Sequence, residues 1–164
     1  MKNIKLRIFE EKDIDEVITI WNSIVEDGIA FPQDENLNRE TGMNFFNLQS
    51  YVGVAYNSDD NQIVGVYILH PNNVGRCGHI CNASFAVKKN LRGYGIGENL
   101  VKHCIFMAKQ CEFKILQFNA VVESNTAALK LYEKLGFIKL GTIPNGFLTK
   151  SGKYENIIPH YLEL

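Results

Sequence analysis

Three glycines at 93, 95 and 97, each separated from the next by one residue, stand between a strand-like run that ends at Val87 and a helical run that begins near Gly95. Glycines this closely spaced, at a junction of strand and helix, leave the backbone without side chains in its way and its N–H groups free to point at a ligand. The turn also lets the backbone approach an anion closely, and the helix behind it adds its partial positive end. A pyrophosphate fits that description. The spacing is not that of a dinucleotide-binding βαβ turn, and the Gly-Lys-Ser/Thr ending of a nucleoside-triphosphate loop is missing. Turns of this composition also serve structure alone, so the rest of the chain has to decide.

Hydrophobic periodicity orders the chain around that turn. Residues 3–9 alternate as a strand, and from Asp13 the apolar positions Ile14, Val17, Ile18, Trp21, Ile24 and Val25 recur at helical steps. A loop with Gly28 and Pro32 spans 27–38, and a weaker helical pattern covers 39–49. Two apolar runs, 51–56 and 63–69, flank a polar turn at 57–61 in the manner of a hairpin, and a third strand is expected at 78–87. A helix at 95–110, a strand at 116–122, a helix at 125–135 closed by Gly136, and strands at 137–142 and 154–162 complete the order. The sequence β-α-α-β-β-β-α-β-α-β-β implies a single domain over 1–164, an α/β sandwich around a mixed sheet.

Composition narrows the function classes. Of the 164 residues 46% are hydrophobic and 21% charged, as in one globular domain. The net charge of −1, with Lys and Arg scattered, supplies no basic field for a nucleic acid partner. The apolar runs are of strand length, and residues 1–5 lack a signal core, so no membrane partner and a cytoplasmic location are expected. Nothing fixes the oligomeric state, and a homodimer stays open.

The four cysteines are expected as free thiols. Cys77, His79 and Cys81 alternate along the expected third strand, but neighbours on one strand face stand about 7 Å apart. That is too far for a shared zinc ion with ligands at about 2.0–2.3 Å. No metal is expected.

The run Arg92-Gly93-Tyr94-Gly95-Ile96-Gly97 resembles the acetyl-CoA pyrophosphate turn of the GCN5-related N-acetyltransferases, whose pattern is Arg/Gln, two residues, Gly, one residue, Gly/Ala. The stretch from Asn125 through Tyr132 to Gly136 and Phe137 resembles that family's second signature, and the order of elements matches along nearly the whole chain. The resemblance implies a mostly antiparallel sheet flanked by helices, with acetyl-CoA as co-substrate and a small-molecule amine as acceptor. It implies that Phe85, Ala86 and Val87 pair through their backbone with the pantetheine arm, and that residues 92–97 grip the pyrophosphate. Asn125 would hydrogen-bond the pantetheine, and the Tyr132 hydroxyl would protonate the departing thiolate. Asn125 and Tyr132 are seven residues apart, about two helical turns, so they share a face. The structural alternatives are a helix N-cap for Asn125 and a half-buried aromatic for Tyr132.

The implied reaction is direct attack of a neutral amine on the thioester, which needs a proton acceptor. Glu26 and Glu123 are the candidate bases, and neither is settled. The stretch from Tyr67 to Ser84, with Asn82, Asn119 and Asn125, resembles a subgroup that includes the L-azetidine-2-carboxylate N-acetyltransferases. The loop with Phe31 and Pro32 resembles phosphinothricin-type acetyltransferases. Asn82, Asn119 and Phe31 are therefore the candidate acceptor-binding residues, with the two asparagines inside predicted strands that this residue type disfavours. A protein N-terminus or aminoglycoside acceptor, or a non-catalytic acetyl-CoA sensor, remains open.

Overall fold

The computed structural model describes residues 3–164. Strand β1 (Ile4–Ile8) leads through a short 3-10 turn into helix α1 (Ile14–Asp27), and after a loop helix α2 (Arg39–Asn47) begins at the N-cap Asn38, whose side chain accepts from Thr41 N. Strands β2 (Tyr51–Asn57), β3 (Ile63–Pro71) and β4 (Ile80–Val87) form an antiparallel meander. Helix α3 (Ile96–Gln110), strand β5 (Ile115–Phe118) and helix α4 (Thr126–Lys134) follow, and strands β6 (Ile138–Lys139), β7 (Ile143–Leu148), β8 (Tyr154–Ile157) and β9 (His160–Glu163) end the chain. The main sheet runs β1-β2-β3-β4-β5-β9-β6, and β7 and β8 form a separate hairpin sheet. All pairs are antiparallel except β4 with β5. The expected α/β class and mostly antiparallel sheet are what the chain forms.

Two apolar layers sandwich the sheet. Trp21, Phe46, Val54 and Val66 pack beneath α1 and α2, while Tyr67, Leu100, Cys104, Leu116 and Phe118 pack beneath α3 and α4. Full burial of each such side chain contributes about 1.5–3 kcal/mol, which is why the helical faces read from periodicity are the buried ones. No helix among the described residues is long and apolar enough to cross a membrane.

The feature that positions a site is the parting of β4 and β5. Their ladder covers Ile80–Ile115 and Cys81–Leu116 and then stops. Beyond it β4 runs on to Val87, held on its other side by β3, so residues 82–87 present an edge towards the gap. An edge of this kind carries backbone N–H and C=O groups ready to pair with an extended chain.

Four expectations are corrected. The strand expected from residue 78 starts at Ile80, because Gly75–Cys77 curls into a 3-10 turn. Cys77 is exposed and Cys81 is buried with its thiol donating to the Ile115 carbonyl, so Cys77, His79 and Cys81 share no strand face. The strand expected to reach residue 122 ends at Phe118, and Asn119 lies in a bend past it. The two final strands are four: residues 143–148, whose Pro-Asn-Gly reads as a turn, pair with β8, and Pro159, which has no N–H to donate, separates β8 from β9.

Candidate active site

Where β4 and β5 part, a cavity of about 320 Å³ opens, lined from β4 by Asn82 and Phe85, from the end of β5 by Phe118 and Asn119, from α4 by Asn125 and Tyr132, and from the α1–α2 loop by Phe31. Six residues scattered between 31 and 132 that the sequence singled out thus meet in one space. A second groove, about 360 Å³, continues past Phe85, Val87 and Asn125 to Arg92. Ala86 turns its side chain into the core, as the pleat requires when its neighbours face the gap.

The glycine turn has the geometry its sequence calls for. Gly93 and Gly95 lie at φ +86° and +78°, and a Cβ on either would meet nothing within 4 Å, so the requirement for glycine is conformational and not steric. Gly95 caps α3, leaving the first-turn N–H groups around Ile96 and Gly97 without helical partners. Ile96 is buried, so its contribution to any ligand is its backbone, whereas Tyr94 is exposed.

Arg92 is held by a residue with no motif to announce it. Asp27, at the end of α1, pairs with Lys89 at 2.6 Å and with Arg92 at 3.2 Å. Burial alone would raise the Asp27 carboxyl, but hydrogen bonds from Lys89 and Arg92 more than offset it and hold the group below its ordinary range. The next residue, Gly28, packs so tightly on Lys150 of the β7–β8 hairpin that a Cβ would collide, and Lys150 N donates to Gly28 O at 3.0 Å. The hairpin and the α1–α2 loop thereby enclose a larger chamber of about 590 Å³ that shares Phe31 and Pro32 with the smaller cavity.

Tyr132 is buried against Phe118 and Phe137, with ring centroids 4.5 and 5.4 Å away, and burial keeps its phenol protonated well above the usual range. Asn125 does cap α4, its Oδ1 accepting from Ala128 N at 3.2 Å, and it lines both cavity and groove besides. Asn82 Oδ1 accepts from Ala83 N at 2.8 Å. Asn119 is braced by Asn72 and Gln117, neither of which sequence reasoning flagged. Glu26 lines the 590 Å³ chamber and not the cavity, and Glu123 accepts from Asn156 Nδ2 at 2.8 Å. Among the described residues no carboxylate or histidine lines the 320 Å³ cavity, and no group of three or more His, Cys, Asp or Glu could hold a metal ion.

The sequence profile of the acetyltransferase (GNAT) family matches residues 17–137, a span that runs from α1 past the glycine turn, the cavity and Tyr132. The chain belongs to that family. It is similar to the N-acetyltransferase aca1 of Schizosaccharomyces pombe, 28% identical over 156 residues, covering 86% of this chain and 74% of that protein. In structure this GNAT enzyme resembles a GCN5-related N-acetyltransferase from Kribbella flavida, with 30% identity, 99% of each chain covered and a TM-score of 0.91. It shares its fold with a phosphinothricin acetyltransferase from Sinorhizobium meliloti solved in complex with acetyl-CoA, at 16% identity, covering 99% of this chain and 89% of that one, with a TM-score of 0.88. The chain is an acetyl-CoA-dependent N-acetyltransferase of GNAT type.

Proposed function

We propose that residues 1–164 act as one cytoplasmic N-acetyltransferase domain whose acceptor is a small carboxylate-bearing amine, an amino or cyclic imino acid. The observation that carries this reading is the single cavity of about 320 Å³ in which Tyr132 and Asn125 on one wall face Asn82, Asn119 and Phe31 on the others. Its size suits one small acceptor beside a thioester. The exposed phosphinothricin-type loop residue Pro32 and the buried Phe31 close its outer end.

Acetyl-CoA supplies an acyl group activated as a thioester. The free edge of Phe85, Ala86 and Val87 pairs with the amides of an extended arm, and the N–H groups of the 92–97 turn, with Arg92, neutralise the diphosphate. Asn125 fixes the arm at the mouth of the cavity. Asn82 and Asn119 hold the acceptor's carboxylate, and Phe31 packs against its apolar face. The acceptor nitrogen then attacks the carbonyl without an acyl-enzyme, as the cavity contains no cysteine, serine–histidine pair or other activated nucleophile among the described residues. Tyr132, kept protonated by burial, gives its proton to the departing sulfur. The nitrogen loses its own proton to water, since the cavity offers it no carboxylate or imidazole.

The test is a release assay for free CoA with L-azetidine-2-carboxylate, cis-4-hydroxy-L-proline, phosphinothricin and a carboxyl-free amine, run on wild type, Asn82→Ala and Asn119→Ala. The acids should be preferred, and each substitution should lower kcat/KM for acids selectively, by about tenfold for one lost hydrogen bond to a charged group. Equal losses on every amine, or a fall in stability alone, would make these asparagines props of the sheet.

A further inference from the structure

Asn119 stands one residue past the end of β5, where the ladder with β9 has stopped at Phe118. Its side chain is held by two others. Asn119 Oδ1 accepts from Gln117 Nε2 at 2.9 Å and from Asn72 Nδ2 at 3.2 Å, while Asn119 Nδ2 donates to Asn72 Oδ1 at 2.6 Å. An amide oxygen has two lone pairs and an amide nitrogen two hydrogens. Both lone pairs of Asn119 are therefore filled and one N–H is left over. Asn82 leans the same way: its Oδ1 accepts from Ala83 N and keeps one lone pair, while both hydrogens of its Nδ2 have no partner among the described residues. The two asparagines that line the cavity thus have N–H groups to spare and little free acceptor capacity. A carboxylate offers only lone pairs.

The brace spans the site. Asn72 sits in the turn after β3 and is anchored by its N–H to the Ile80 carbonyl at 2.8 Å, whereas Gln117 belongs to β5, on the far side of β4. Neither lines the cavity. We propose that Asn72 and Gln117 are positioning residues that hold the Asn119 amide with its N–H and not its C=O towards the acceptor, making the cavity selective for a carboxylate over the matching carboxamide. The inference rests on Asn119 being an acceptor-binding residue.

The experiment compares kcat/KM for L-azetidine-2-carboxylate and L-azetidine-2-carboxamide in wild type, Asn119→Ala, Asn72→Ala and Gln117→Met, the last keeping the length of glutamine without its donor. Wild type should favour the acid. Asn72→Ala and Gln117→Met should each lower the acid-to-amide ratio about fivefold, the worth of one hydrogen bond. The loss should appear in the acceptor KM, with the acetyl-CoA KM unchanged and the melting temperature lowered by no more than about 4 °C. Because both act through one amide, adding Gln117→Met to Asn119→Ala should leave the ratio where Asn119→Ala alone puts it. A wild-type enzyme indifferent to the carboxylate overturns the acceptor reading and the brace together. A wild-type preference that Asn119→Ala abolishes but Asn72→Ala and Gln117→Met leave intact overturns the brace alone, as does a further loss in the double variant.

Discussion

Replacing Tyr132 with phenylalanine removes one oxygen and keeps the ring. That ring packs 4.5 Å from Phe118 and 5.4 Å from Phe137, centroid to centroid, and only 9% of the residue is exposed, so the substitution opens no cavity. Stability should change by less than about 1 kcal/mol, the net worth of a typical hydrogen bond, which for a chain of this size moves Tm by about 2–4 °C at most. Turnover is a different matter if the hydroxyl is the acid that meets the departing thiolate. A positioned acid contributes about 10²–10⁴-fold. The cavity is not sealed from water, Asn119 on its wall being exposed, so solvent can slowly supply the proton, and the lower end applies: a loss of about 10²-fold in kcat, equal to about 2.7 kcal/mol. The acetyl-CoA KM should stay within about twofold, because the hydroxyl is engaged only as the sulfur departs. Steady-state release of CoA between pH 7 and 9, with thermal melts of both proteins, decides it. Turnover at the wild-type rate across that range, or a loss confined to the acetyl-CoA KM, removes Tyr132 from the chemistry.

Acetyl-CoA at about a hundredfold above its Kd should stabilise the fold by about 2.7 kcal/mol, and Gly95→Ala, which forces a Cβ to φ +78°, should weaken that shift at a cost of about 1–2 kcal/mol in the free protein; a melt indifferent to millimolar acetyl-CoA contradicts the binding turn. With no carboxylate or histidine lining the cavity, log kcat/KM should climb with pH until the acceptor amine's own pKa, and amines of different pKa should shift the profile with them; a limb fixed near neutrality for every amine would reveal a base on the protein. Burial pushes the Cys81 thiol from 9.0 up to about 12. The folded state therefore keeps its proton after the unfolded state has lost it, so this contribution is whole below pH 9 and drains between pH 9 and 12 at about 1.4 kcal/mol per pH unit. Cys81→Ala should flatten that alkaline limb in urea titrations, and an unchanged slope would contradict it.

Much of the fold was legible because burial imposes periodicity. Of the α1 residues that recur at helical steps, Ile14, Val17, Trp21, Ile24 and Val25 are buried and Ile18 is half-buried, and the two apolar runs around 57–61 do pair as β2 and β3. What escaped notice lies where burial fades. Strand β7 is exposed at every position but Phe147, so no alternation marks it, and its Pro-Asn-Gly imitates a turn. The end of β5 was misjudged for a related reason: Val121 and Val122 are buried and read as strand, yet they are held by the β7–β8 hairpin through the Val122–Ile157 bridge and by a bond from Ile158 N to Val121 O, and not by the main sheet. Local motifs announced the glycine turn and the α4 signature. Contacts made between distant segments, such as Asp27 with Arg92 or Asn72 with Asn119, leave no local pattern at all.

These long-range contacts matter because the site is built from a defect in the sheet. A parallel pair that stayed in register would consume the edge of β4 and fill the space between Phe85 and Phe118 with ladder; the register ends after Cys81–Leu116, and everything beyond it has to be held by other means. On the β4 side the antiparallel ladder with β3 does this for residues 82–87. On the β5 side no strand of the main sheet remains past Phe118, so other contacts take over, with Asn72 and Gln117 bracing Asn119, the β7–β8 hairpin holding Val121 and Val122, and Asn125 capping α4. Asparagine and glutamine suit that duty, since one amide can satisfy a neighbouring donor and still keep N–H groups for a ligand. The poor strand formers that looked out of place in the sequence therefore occur where the sheet stops being a sheet, and the requirement that ends the ladder is the same one that creates the cavity.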